Sequence, residues 1–473
     1  MRDVRARLPD LGAFAEGGIM SVPNATVIEN GWVLTFGEPA RLIEDGAVLI
    51  RNGLVEAVGP RSEVSGLCTE SDRVKVVDAR GCVVTPGLVN AHMHLYSTFA
   101  CGYAPAVSHN FREILENLWW KLDRALSLDD VRLSAMVPAI RCLKAGVTTI
   151  VDHHASFGAI RGSLRTVANA VRSLGLRACL AYEVSDRWGE REALAAIEEN
   201  ESFLGSLADD PDPDLNGLFG LHASFTLSER TLGRSVEAAR RVIRERGYRG
   251  GFHVHCAEDR ADVEDARARG FAGAVDRLQA AGILGARTIA AHCIHVTPAE
   301  TAVLAETGTI VVTNPQSNMN NAVGVADVPA MLERGCLVGL GSDGMTANIL
   351  EEVRAAIFTR RQEARDPTQM FSEAARMLSA SNPYIASHLF GREIGVLKPG
   401  AVGDAVIWDY RPATPMESQN VAGHLVFGVA ESRPRTVVCS GRVVVNDGEV
   451  VGVDEGAVAK EARGLAAALW KRL

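Results

Sequence analysis

Histidines at the ends of short apolar runs constrain this chain more than any other feature. Between about residues 85 and 395, strand-like runs alternate with amphipathic stretches: Leu88–His92, Thr148–His153, Arg177–Tyr182, Leu218–His222, Gly251–His255, Thr288–His292, Thr309–Thr313 and Leu337–Gly341. In the first intervening stretch Phe111, Ile114, Leu115, Leu118, Trp119, Leu122 and Leu126 recur by threes and fours, which is a helical period. About eight βα units in roughly 300 residues is the arithmetic of a (β/α)8 TIM-like barrel, an α/β fold whose reactive groups stand at the C-terminal ends of the strands. This chain puts His92, His94, His153, His154, His222, His255, His292 and Asp343 at those ends.

The two ends of the chain read differently. Ala25–Ile28, Trp32–Phe36, Ala47–Arg51, Leu54–Val58, Val74–Asp78 and Cys82–Thr85 are short strand patterns parted by turns, and Ala405–Trp408, Thr436–Cys439 and Arg442–Asn446 repeat the texture. They predict a small β-sandwich domain built from residues 24–84 and 396–454, flanking a barrel at 85–395. Residues 455–473 read as a closing helix and 1–23 as a loose tail, in which Met20 is a candidate translation start.

Composition removes several classes of function. A net charge of -9, with no Lys/Arg run, argues against a nucleic-acid partner. The 9 cysteines are an odd number with no C-x-x-C pair, so neither a disulfide framework nor a cysteine zinc site is indicated, and a cytoplasmic setting is expected. No apolar run approaches the roughly 18 residues of a membrane helix.

The chemistry lies in His92-Met93-His94. Residues i and i+2 of a strand point to one side, so both imidazoles can converge on one ion. His255 with Glu258 three residues on, His292 and Asp343 add imidazoles and carboxylates at neighbouring strand ends. Such a site suits a divalent metal, with zinc expected first and iron or manganese left open by histidine and aspartate ligands alone; a bound zinc lowers the pKa of a water from about 15.7 to near 7. Asp343 can bind the ion and take the water's proton; Glu258 can shuttle it, and His292 can orient the attacking oxygen.

PGLVNAHMH at 86–94, HVHCAE at 253–258, AHCIH at 291–295, NPQSN at 314–318 and GSDG at 341–344 together resemble the amidohydrolase superfamily, within it the deaminase and chlorohydrolase branch. NLWWKLDRAL at 117–126, VDHHAS at 151–156 and QSNMNNAVG at 316–324 are most similar to the SsnA-type aminohydrolases. The resemblance covers residue 24 to the C-terminus. It implies His92, His94, His255 and Asp343 as metal ligands, Glu258 as proton shuttle, His292 beside the reactive water and His222 as a substrate contact. The fourth strand lacks the lysine of binuclear relatives, which implies a single metal. The implied activity is hydrolytic deamination of a small amino-substituted N-heterocycle by a homo-oligomeric enzyme. Dechlorination of a triazine-like ring and an inactive barrel scaffold are the alternatives.

Other signals carry less. Gly339–Gly344 satisfies G-x-G-x-x-G, but Asp343 would set a carboxylate where a pyrophosphate should lie. Trp119 lies on an apolar helical face, where core packing competes with a role as wall of a heterocycle pocket. His153 and His154 point to opposite sides of a strand, and His154 is taken as a substrate contact. Glu183, Asp186 and Arg187 either read polar substrate edges or belong to a solvated loop.

Overall fold

The computed structural model describes residues 24–68 and 72–473, so the expected tail at 1–23, Met20 included, lies outside the described residues. The N-terminal strands are β1 (Ala25–Leu34), β2 (Leu42–Arg51), β3 (Leu54–Pro60), β4 (Val74–Asp78) and β5 (Val83–Pro86). The two runs expected before residue 37 are one strand. Asn30-Gly31 is not a turn but a bulge within it, where Asn30 adopts φ 61° and the register to β2 shifts.

Gly87 alone separates β5 from the middle of the chain, where β6 (Leu88–Met93), β7 (Val147–His154), β8 (Arg177–Tyr182), β9 (Leu215–Gly217), β10 (Phe219–Ala223), β11 (Phe252–Cys256), β12 (Ile289–His292), β13 (Ile310–Thr313) and β14 (Val338–Leu340) alternate with helices. They form two parallel sheets, β6-β7-β8-β9 and β10-β11-β12-β13-β14. The fourth expected strand is thus divided at Leu218, whose N–H still bonds Leu180 O at 3.0 Å. Isolated parallel bridges join Val184 to Leu221 and Met93 to Asp343, linking the two sheets at both edges. Apart from the partly exposed Asn216 of β9, these strands are buried throughout, as parallel strands covered on both faces must be. Ala91, Val151, Ala181, Ile289 and Val312, each from a different parallel strand, share one apolar cluster with Leu218, between β9 and β10, and with Ile385 and Leu389 of the helix Asn382–Phe390.

The chain returns to the first sheet with β15 (Ala405–Trp408), β16 (Pro434–Cys439), β17 (Arg442–Asn446) and β18 (Glu449–Val450). Both chain ends share one nine-stranded sheet, in which β15 pairs with β5. Trp408, 1% exposed, reaches across it to give its Nε1–H to Thr85 Oγ1. The closing helix is Glu455–Leu469, anchored to the helix Leu128–Lys144 by the ion pairs Lys144–Glu455 and Arg132–Glu461.

Candidate active site

Strand ends carry the reactive groups because the backbone stops pairing there and side chains turn to a common centre. Asp343 is brought in by the turn after β14, whose Ser342 and Asp343 N–H groups both donate to His92 O, at 2.9 and 3.0 Å. His94 N–H donates in turn to Asp343 O at 3.2 Å. The approach needs glycine at 341: a Cβ would stand 2.4 Å from Asn314 Oδ1 and 2.8 Å from His92 O. Asp343 (φ 54°) and His292 (φ 73°) both hold left-handed backbone, a strain that surrounding packing must sustain and that is commonest at functional sites.

The ligand atoms of His92, His94 and Asp343 lie within 4.8 Å of one another, as do those of His92, His255 and His292. His94 Nε2 stands 3.1 Å from His255 Nε2 and 3.1 Å from Asp343 Oδ1. The Nδ1–H of His94 donates to His153 O and that of His255 to His222 O, which leaves both Nε2 atoms as facing lone pairs. His92 Nδ1 bonds His253 Nε2 at 2.8 Å, while its Nε2 is buried with no partner in the protein. Converging lone pairs, an orphaned imidazole nitrogen and a carboxylate are a set that a divalent cation satisfies, with the other ring nitrogens held as metal-bound histidines require. Charge agrees. Burial holds His92 and His255 well below the usual histidine range, as neutral donors. Burial also opposes charge on His94, but the Asp343 carboxylate beside it prevails and raises it to about 9, so the cluster draws a positive charge to this point.

A second group adjoins the first: Glu258, His292 and Asp343, again with ligand atoms within 4.8 Å. His292 Nε2 is 3.6 Å from Glu258 Oε2 and 3.7 Å from Asp343 Oδ2, and has no hydrogen-bond partner. Its Nδ1–H donates to Asn318 Oδ1 at 2.9 Å, leaving Nε2 an acceptor. Ser317 Oγ donates to Asp343 Oδ2 at 2.6 Å, and Asn321 Nδ2 to Glu258 Oε1 at 3.2 Å. Burial pushes Glu258 up to about 7 against the pull of His292, the range a proton carrier needs at neutral pH.

These groups open into a cleft of about 620 Å³, mouth included, lined also by Tyr96, Trp119, Trp120, Glu183, Arg187 and His222. Trp119 and Trp120 stand at a π-helical turn, Leu115–Trp119, that interrupts the expected continuous helix and turns both indoles toward the cleft. His222 Nδ1–H donates to Thr226 Oγ1 at 2.7 Å, whose own hydrogen goes to Ala223 O, and burial lowers His222 to about 3. His154 does not line the cleft: its Nε2 bonds Ser156 Oγ at 2.9 Å. Its neighbour His153 takes the inner face, its ring 4.7 Å from that of His255. Asp186 is a structural acceptor for Ser228 N and Thr231 Oγ1, whereas Glu183 and Arg187 are buried, not a solvated loop. His253, Ser317, Asn318 and Asn321 carried no separate signal, although all lie within runs quoted above; spacing names strand-end ligands but not what holds them.

A model of the amidohydrolase family matches residues 83–444. Over 451 residues the chain is 30% identical to the 5'-deoxyadenosine deaminase of Methanosarcina mazei, covering 94% of this chain and 99% of that protein. It is 31% identical over 453 residues to the 5-methylthioadenosine/S-adenosylhomocysteine deaminase of Pelotomaculum thermopropionicum, with 94% and 99% covered. Among solved structures, the zinc-bound adenosine deaminase of Xanthomonas campestris superposes with a TM-score of 0.81 at 22% identity, over 94% of this chain and 98% of that one. The zinc complex of atrazine chlorohydrolase from Arthrobacter aurescens gives 0.77 at 22% identity, over 93% and 100%. A match across most of the chain, joined to a histidine and carboxylate cluster at the ends of parallel strands, places this protein in the amidohydrolase family.

Proposed function

We propose that this amidohydrolase removes the amino group of a small N-heterocycle with water, releasing ammonia. The observation that carries the reading is Glu258: a largely buried carboxyl, its side chain 12% exposed, raised to about 7, in contact range of the cluster and at the edge of the cleft. The named relatives are deaminases, which agrees.

His92, His94, His255 and Asp343 would hold one divalent ion, zinc by likeness to the zinc-bound neighbours. Such an ion lowers the pKa of a water to near 7 and so supplies the nucleophile at neutral pH. Asp343, steadied by Ser317, accepts a proton from that water, and His292 Nε2 accepts its other O–H to aim the oxygen. Glu258 carries one water proton to a ring nitrogen; oxygen bonds to the amino-bearing carbon. The carbon–nitrogen bond then breaks, and the amine leaves with the second water proton as ammonia, the ring keeping the first. Trp119 and Trp120 wall the flat ring, and His222 touches it.

The wider architecture belongs to the same proposal. The bridges at Val184–Leu221 and Met93–Asp343 and the shared inner cluster support closure of the two parallel sheets into one barrel at 85–395. Burial on both faces of β1 and β2 supports a sandwich built from 24–84 and 396–454. The 9 unpaired cysteines favour a reducing cytoplasm, and no described helix is long and apolar enough to cross a membrane. A homo-oligomer is checked by light scattering.

Metal analysis and an ammonia-release screen over aminated purines, pyrimidines and triazines test the function. We expect about one ion per chain and ammonia from at least one ring. Chloride from a chlorotriazine with no ammonia from any ring would replace deamination by dechlorination; a chain that binds no ion would be a scaffold.

A further inference from the structure

Glu183 has no part in the steps above, yet it is 2% exposed and lines the cleft. It follows β8, and its N–H is tied to His154 O at 2.8 Å. Arg187 NH1 stands 2.5 Å from Glu183 Oε1, and Arg187 NH2 is 2.5 Å from Asp123 Oδ2. Asp123 accepts Trp188 Nε1–H at 3.3 Å, and the Arg187 guanidinium lies 4.4 Å over the Phe157 ring. Arg187 is thus clamped on two sides and fixes Glu183 in turn. The second oxygen, Oε2, stands 3.5 Å from His153 Nδ1, beyond a good hydrogen bond, and that nitrogen is itself buried without a hydrogen-bond partner. A buried carboxylate oxygen with spare lone pairs, in a ligand cavity, calls for a donor on the ligand.

Its depth says which part of the ligand that is. A Glu183 oxygen lies within 4.8 Å of ring nitrogens of His222 and His255, so it stands beside the reactive centre, where the ring itself must sit and not a substituent. Glu258 belongs to a different group, with His292 and Asp343. The two carboxylates thus stand against different histidines around the reactive centre, which lets each meet its own edge of one ring. Glu258 needs a ring nitrogen with a free lone pair, to which it can deliver a proton. Glu183, which accepts only, needs an N–H.

Resting on the deaminase reading, we propose that Glu183 selects the substrate by accepting a hydrogen bond from a ring N–H next to the amino-bearing carbon. The substrate class is then a cyclic guanidine of the 2-amino-4-oxopyrimidine kind, free or fused as in guanine. Its amino carbon has a lone-pair nitrogen on one side and an N–H on the other. An adenine-type ring, with carbon on the second side, leaves Glu183 unpaired.

Two pairs of rings test this on the metal-loaded protein by titration calorimetry, which needs no turnover: isocytosine against 2-aminopyrimidine, and guanine against 2-aminopurine. The second member of each lacks the N–H and is no bulkier. The intact protein should bind the first about 10- to 150-fold more tightly, as for hydrogen bonds to a charged group. In E183Q the amide can donate to the bare ring nitrogen, so that ratio should shrink at least tenfold while bound metal stays constant; the oxo group is common to both proteins and cancels. Equal binding within each pair, no binding of any of the four, or an undiminished ratio in E183Q overturns the proposal. So does loss of metal in E183Q, which would make Glu183 an ion ligand. Should E183Q not fold, the ratio in the intact protein decides alone. If the ratios hold but no ammonia appears from any of these rings, the deaminase reading falls and the selection by Glu183 stands.

Discussion

Glu258 and His253 separate two jobs that histidines and carboxylates share in this site. In the proposed mechanism Glu258 carries a proton and is not among the four residues that would hold the ion, so Glu258→Gln should keep fold and metal while kcat falls about 10²- to 10⁴-fold, the usual worth of a positioned proton carrier. Activity within tenfold of the parent, with metal intact, would remove it from the mechanism. His253 does the converse. Its Nε2 lies 2.8 Å from His92 Nδ1; by accepting that N–H it would leave the other nitrogen of His92 free for the proposed ion, while its own Nδ1 is buried and unpartnered. His253→Phe deletes that acceptor, and chelator competition should show metal affinity weakened about 10- to 100-fold. Unchanged affinity would make His253 mere packing. His92 and His255 are legible from strand-end spacing; His253, two residues before His255, is not, because what distinguishes it is a partner 161 residues away.

The helix Ile349–Ala364 follows the turn that carries Asp343 and buries Glu352 completely. One oxygen of Glu352 accepts Gln316 N–H at 3.0 Å and the other has no partner. Burial pushes this carboxyl up to about 8, against that hydrogen bond. The folded protein therefore holds a proton that the unfolded chain releases near pH 4.3, and the stability it contributes below that value is lost as pH rises through 8. The Tm of the holoprotein should fall between pH 6 and 9, and Glu352→Gln, neutral throughout, should remove a share of the order of 1 kcal/mol from that slope. Parallel slopes in the two proteins would place the titrating group elsewhere. Elements were legible where period and burial agree, as in β7, β8 and β11. They were not where tertiary contact overrides period: the π-helical turn at Leu115–Trp119 and the bulge at Asn30 both answer to neighbours.

Two regions that fold from distant stretches meet at Arg177 of β8 and Asp404, just before β15. Arg177 NH1 lies 2.6 Å from Asp404 Oδ2, with the side chains 2% and 1% exposed. Asp404 also accepts Thr148 Oγ1 at 2.9 Å and Ser440 N–H at 2.8 Å, so one carboxylate ties the parallel strands to the nine-stranded sheet. Removing Asp404 leaves the buried Arg177 guanidinium with the partly exposed Asp214, 2.9 Å from NH2, as its carboxylate partner. Asp404→Ala should therefore cost about 3 kcal/mol, the lower end for breaking a buried pair, read by denaturant unfolding of the holoprotein. A loss below about 1 kcal/mol would mean that water reaches the guanidinium and the junction is looser than drawn.

Alternating apolar runs and amphipathic stretches determined the parallel strands, and the positions of His92, His94, His255 and Asp343 determined at which end of them the histidine and carboxylate cluster would gather. Those are properties of spacing, and spacing is written along the chain. The structure alone decided that His153 and not His154 faces the histidine cluster, that Glu183 and Arg187 are buried beside the cleft, and that both chain ends share one sheet. Each depends on which side chains lie close across large gaps in the chain. Hydrogen bonding, desolvation and charge act over a few ångströms of space, and no local period records them.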